Sequence, residues 1–278
     1  MSNSAKIAKL KETGDVKTTK PTSGTTTMSV LPWTKAKPFE YTYHAFGYIP
    51  NVNPGSGPVD IVYAGNITPD VTLKNSKIKI TLDRLRVADY PGGGVHRVLF
   101  DFSAQNQIPG TVEIIHFNQT YRASEGAGAG VVGYPVFIDL NVGNDGVAFK
   151  CSTVNVSNQS DEKFLDALES GPATAGLQLL TTAQPAIKPF TDLALGITKS
   201  IAARNRNVAV QDFFMGLDFS NSPTRARLAQ GAYIAVQVPS DKWDWSEWQY
   251  DPNTGRILKK GTGDSIPYNY VVFSVSRS

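Results

Sequence analysis

The chain has 278 residues, 41% hydrophobic and 18% charged, with a formal net charge of +3. A globular chain of that length buries roughly 70–75% of its unfolded surface, so it needs no disulfide or metal to fold, and its single cysteine, Cys151, excludes an intrachain disulfide. No run approaches the ~18 apolar residues of a membrane-spanning helix, and the lysine-rich start, MSNSAKIAKLKETGD, lacks the apolar stretch of a secretory signal, which predicts a cytoplasmic protein.

Positive charge is concentrated at the start. Residues 1–37 hold seven lysines against Glu12 and Asp15, a net +5, which leaves 20 basic and 22 acidic residues elsewhere, a net −2. Residues 1–31 are rich in Lys, Thr and Ser, with too few large apolar groups to offset ordering entropy, and are predicted as a flexible basic arm. Such an arm can meet an anionic membrane surface or nucleic acid. It has neither arginine for bidentate phosphate contacts nor an aromatic ring to stack on bases, so nucleic acid is the less favoured partner.

From residue 32 the chain reads as β-structure. Alternating apolar segments run in order as FEYTYHAFGYI (39–49), KIKITLDRLRV (77–87), VHRVLFDFSA (95–104), GTVEIIHFNQTYRA (110–123), YPVFIDLNV (134–142) and GVAFKCSTVNV (146–156). Gly, Pro, Asn and Asp punctuate them at 91–94, 126–130 and 144–146. Short strands at this spacing predict an antiparallel sandwich rather than βαβ units. In the second segment Ile78, Ile80 and Leu82 share a face while Leu85 and Val87 fall on the other parity, which predicts a bulge near Asp83 and Arg84.

The period then changes. SDEKFLDALES (160–170) carries a capping residue with Phe164, Leu165 and Leu168 at helical spacing, and TDLALGITKSIAARN (191–205) aligns Leu193, Ile197 and Ile201. A helical insertion at about 160–205 is therefore expected. Strands resume with VAVQDFFMGLDF (208–219), GAYIAVQVP (231–239) and YNYVVFSVSR (268–277). The domain is thus 32–278.

Between the last two strands, WDWSEWQYDPNTG (243–255) holds three of the four tryptophans. Asp251 to Gly255 is turn chemistry, so a hairpin is expected. In a flat strand Trp243 and Trp245 share a face and Trp248 lies on the other. Two readings stand: a hairpin clamped onto the domain, or a contact surface in which Trp243, Trp245, Trp248 and Tyr250 meet a ligand or membrane.

Catalytic patterns are scarce. His44, His96 and His116 lie in separate predicted strands, Cys151 sits in an alternating strand as a small hydrophobe, and no HExxH, CxxC, P-loop, GxSxG or Rossmann pattern occurs. The chain is read as a non-enzyme. Asp139, Asp145, Asp241 and Asp244 are candidate ligands for Ca²⁺, since carboxylates from neighbouring loops supply hard oxygen donors. No other cofactor is expected.

The segments VHRVLFDFSAQNQ (95–107), GYPVFIDLNVGNDGVAF (133–149), STVNVSNQSDEKFL (152–165), SIAARNRNVAVQDFFMGLDF (200–219) and GAYIAVQVP (231–239) resemble bacterial β-sandwich proteins of C2-like topology with no assigned activity. The resemblance implies a binding module for lipid, Ca²⁺ or protein. The expected fold is accordingly mainly β, a C2-like or jelly-roll-like antiparallel sandwich with a helical insertion and a disordered N-terminal arm. The expected function is binding, of a protein partner or an anionic membrane. Alternatives are a membrane-active, pore-forming effector, since residues 172–203 carry only Lys188, Asp192 and Lys199 as charges, and a self-assembling coat-like subunit.

Overall fold

A computed structural model describes residues 36–50, 55–108, 110–129, 131–157, 161, 177–178, 201–203, 207–220 and 226–278. The expected basic arm, and the expected helical insertion apart from Asp161, 177–178 and 201–203, lie outside the described residues.

The described chain is mainly antiparallel β, in three sheets. The strands β1 (Tyr43–Ile49), β2 (Val59–Asp60), β3 (Val62–Tyr63), β4 (Lys77–Arg86), β5 (Val95–Ile108), β6 (Thr111–Ser124) and β7 (Tyr134–Asn141) come first. They are followed by β8 (Gly146–Asn155), β9 (Leu177–Gln178), β10 (Val208–Asp218), β11 (Gly231–Val238), β12 (Trp248–Asp251), β13 (Arg256–Lys259) and β14 (Tyr270–Arg277). One sheet runs β3-β1-β11-β14-β4-β7-β9, a second β10-β8-β5-β6, and a third β13-β12-β2. Leu177 and Gln178 were expected within the helical insertion. Their backbone instead pairs parallel with Phe137 and Ile138, using the edge of β7.

Alternation explains the two long faces. Phe100, Phe102 and Ala104 of β5, with Phe149 and Cys151 of β8 and Met215 of β10, share one buried cluster with Ile78, Ile80 and Leu82 of β4, Tyr233 of β11 and Phe273 of β14. Phe102 lies between the two sheets, 5.4 Å from Phe149 and 5.4 Å from Phe273 between ring centroids. Every second residue of the second and first sheets therefore points into the same apolar interior, which is the main stabilising term of the body.

The first sheet is covered on its other face too. Ile234, Val236, Tyr270 and Val272 point away from the main core into a second cluster with Trp245, Trp248, Ile257 and Ile266. Burial on both faces is why β11 and β14 read as continuous apolar runs instead of alternating ones.

The phase break in β4 is a bulge. Val272 pairs with Arg84 and Phe273 with Leu82, so Asp83 has no partner in the register and the next buried residue is Leu85. A second irregularity lies in β7, where Leu140 pairs with Ile78 but Phe137 pairs with Ile80. Asp139 occupies this offset with φ 63°, a left-handed conformation that aspartate tolerates better than most residues. No helix among the described residues is long and apolar enough to cross a membrane.

Candidate functional site

Asp244 opens the tryptophan segment. Its Oδ1 accepts from the Ser246 amide at 2.8 Å and caps a 3-10 turn over Trp245–Glu247. Three residues per turn bring positions i and i+3 to one side, so Trp245 and Trp248 both reach the first sheet, where a flat strand would have split them. Trp245 is 5% and Trp248 9% exposed. The Trp245 indole donates to the Phe46 carbonyl at 3.1 Å and lies against Gly47, where an added Cβ would come within 2.9 Å of its ring. Gly47 is thus the space into which the indole fits.

Trp243 stacks on Trp248, with centroids 5.6 Å apart and planes inclined by 13°, and meets the edge of Tyr268 at 5.6 Å. Trp243 and Tyr250 are half-buried, and burial pushes the Tyr250 hydroxyl above its ordinary pKa. Most of the aromatic surface singled out from the sequence is therefore spent on packing.

The four candidate calcium ligands fall into two places. Asp139 and Asp145 belong to β7 and the loop after it, whereas Asp241 and Asp244 follow β11, with β4 and β14 between the two strands in the sheet. Each of two has a local role: the Asp139 backbone amide donates to Ser278 Oγ at 3.1 Å within the bulge, and the Asp244 carboxylate caps the turn. The Ser246 hydrogen bonds hold the Asp244 carboxyl below its usual pKa. Among the described residues no three His, Cys, Asp or Glu side chains gather into a metal-binding group.

The histidines are dispersed as their strands are. His44 packs on Phe213 at 5.1 Å, and burial lowers its pKa to about 4. His96 lies beside Tyr90 at 5.7 Å. His116 pairs with Asp101 through Nδ1 at 3.1 Å on the outer face of the second sheet. Ser103, the cross-strand partner of His116, gives its hydroxyl to the Lys150 carbonyl at 3.4 Å instead. Cys151 is fully buried, and burial pushes its thiol well above the usual value.

A cleft of about 410 Å³ opens where the ends of β5 and β7 meet the start of β4. None of its lining residues carries a charge. Ile108 and Val142 are its buried apolar residues, and Asn75, Gln107, Asn141 and Asn144 bring carboxamides to it. The sequence reading missed it, because GNDG (143–146) registers only as a turn and the other contributors lie far away in the chain.

Its walls are fixed from behind. Asn106 is 1% exposed, and its Oδ1 accepts from both the backbone amide and the Nδ2 of Asn141, at 3.0 and 2.9 Å. Asn106 Nδ2 donates to Glu113 at 2.8 Å, so both ends of its amide are engaged. On the other side the Val142 amide donates to the Ser76 carbonyl at 2.9 Å, and Asn75 adopts φ 51° so that its Nδ2 reaches Asn144 Oδ1 at 2.9 Å. Gly143 leaves room for Gln107, whose Cγ would lie 2.9 Å from an added Cβ.

Several carboxamide groups of the lining residues remain unspent. Gln107 makes no side-chain hydrogen bond among the described residues, and Asn75 Oδ1, Asn141 Oδ1 and Asn144 Nδ2 keep free capacity after the bonds above. The site can therefore offer donors and acceptors side by side without a charge. No protein-family model matches the chain, and no curated protein or solved structure shows significant similarity to it.

Proposed function

We propose that this chain is a non-enzymatic binding protein, a two-sheet sandwich whose ligand enters the amide-lined cleft at the ends of β4, β5 and β7. The observation that carries the reading is the unspent carboxamide capacity of Gln107, Asn75 and Asn144 on walls that Asn106 and the Ser76–Val142 contact hold rigid. Its volume lies in the range of small-molecule sites, about 300–1,000 Å³. Two-dimensional amide NMR of the full chain against mixed small molecules tests it: perturbation centred on Gln107 and on 141–144 supports the reading, and perturbation confined to other surfaces refutes it.

Self-assembly is a second reading with one observation of its own. β6 ends the second sheet among the described residues and exposes Val112 by 51% and Ile114 by 61%, a combination that invites strand-to-strand pairing. A sedimentation measurement on wild type and Ile114→Lys distinguishes the two readings. Attachment to an anionic membrane would fall to Trp243, Tyr250 and residues 1–31.

A further inference from the structure

We propose that the cleft recognises a neutral saccharide, a class of ligand defined by vicinal hydroxyls on an apolar ring; this rests on the cleft being the binding site. Charge narrows the choice first. Since no lining residue is ionisable, a charged ligand would lose its hydration and meet no counter-charge. The lining also has no aromatic ring, so a nucleobase or aromatic metabolite finds no stacking partner.

Hydrogen-bond pattern narrows it further. A carboxamide carries a donor and an acceptor next to one another, and a vicinal diol offers the complementary pair because each hydroxyl both donates and accepts. Gln107 presents such a pair, and Asn144 Nδ2 with Asn75 Oδ1 presents a second in the same cleft, joined by the 2.9 Å bond between these two side chains. Ile108 and Val142, 7% and 2% exposed, close the floor of the cleft and leave the hydrogen-bonding rim to recognise the ligand. A peptide would instead seek a free strand edge for its backbone ladder, and the groups here are side chains at strand ends. The Asn106 clamp on Asn141 holds part of this geometry before the ligand arrives, which reduces the ordering cost of binding.

The test is a titration of the full chain, followed by amide NMR, with cellobiose, maltose, lactose and diacetylchitobiose. Glucuronate, glucosamine and an N-acetylated, C-amidated triglycine are run beside them. At least one neutral disaccharide is expected to shift the amides of Gly143 and Asn144 and the side-chain amide of Gln107. Gln107→Glu keeps the size of a side chain that makes no protein hydrogen bond and adds a charge, and it should weaken that disaccharide at least about tenfold with unchanged thermal stability. Gly143→Ala, which displaces Gln107, should weaken it as well. If the capped peptide or a charged sugar shifts these amides and the disaccharides do not, the ligand class is wrong and the binding site stands. If every probe leaves the cleft amides unmoved, both fail.

Discussion

Replacing Trp245 by alanine removes the residue that joins the tryptophan turn to the outer face of the first sheet. At 5% exposure the indole is part of a core, and truncating a buried tryptophan costs about 3–5 kcal/mol. Its hydrogen bond to the Phe46 carbonyl contributes about 1 kcal/mol of that range or slightly beyond it. The cavity forms against Gly47, which has no side chain with which to fill it. A loss of about 4 kcal/mol, with a urea m-value of about 2–3 kcal/mol/M, lowers the unfolding midpoint by about 1.3–2 M. Trp243→Ala, which loses a half-buried stacking partner, should cost only about 1–2 kcal/mol. Far-ultraviolet circular dichroism in urea follows both without relying on tryptophan fluorescence. A Trp245→Ala midpoint within about 0.3 M of wild type, or equal effects of the two substitutions, would refute the packing argument.

Three further outcomes follow from buried ionisable groups. His44 has a folded pKa of about 4 against about 6.5 unfolded, so the unfolded chain takes up the proton first; stability is complete above about pH 6.5 and falls by up to ~3 kcal/mol towards pH 4, and urea midpoints of His44→Gln should show that slope reduced. Cys151 should react with Ellman's reagent only in denaturant, and rapid labelling of the native protein would contradict its placement in the main core. Asp83 has its carboxyl raised by burial although Ser274 and Thr81 donate to it, so its ionised form is disfavoured on folding; Asp83→Asn should raise the midpoint at pH 7 and lose that advantage at pH 3.

The parts of this molecule that were legible in its sequence are those set by local alternation. β5, β7, β8 and β10 emerge from period-two patterning, and the bulge at Asp83 from a parity change between Leu82 and Leu85. The tryptophan turn was not legible in the same way. Asp244 as a cap is a local signal, but Gly47, almost 200 positions away, decides where the Trp245 ring can lie. Asp139 stood out in the sequence only as a candidate Ca²⁺ ligand, and its left-handed backbone depends on the pairing offset between β4 and β7. The cleft is the extreme case. Asn75, Gln107 and Asn141–Asn144 are unremarkable in their own neighbourhoods, and only the closure of the sheets makes their amides converge.

The most direct measurement of the central claim is a crystal structure of the full chain soaked in a neutral disaccharide. The account predicts a sugar in the cleft, with hydroxyls bonded to Gln107 and to the Asn75–Asn144 pair. An empty cleft, with sugar bound instead against Trp243 and Tyr268, would contradict it and return the binding surface to the tryptophan hairpin.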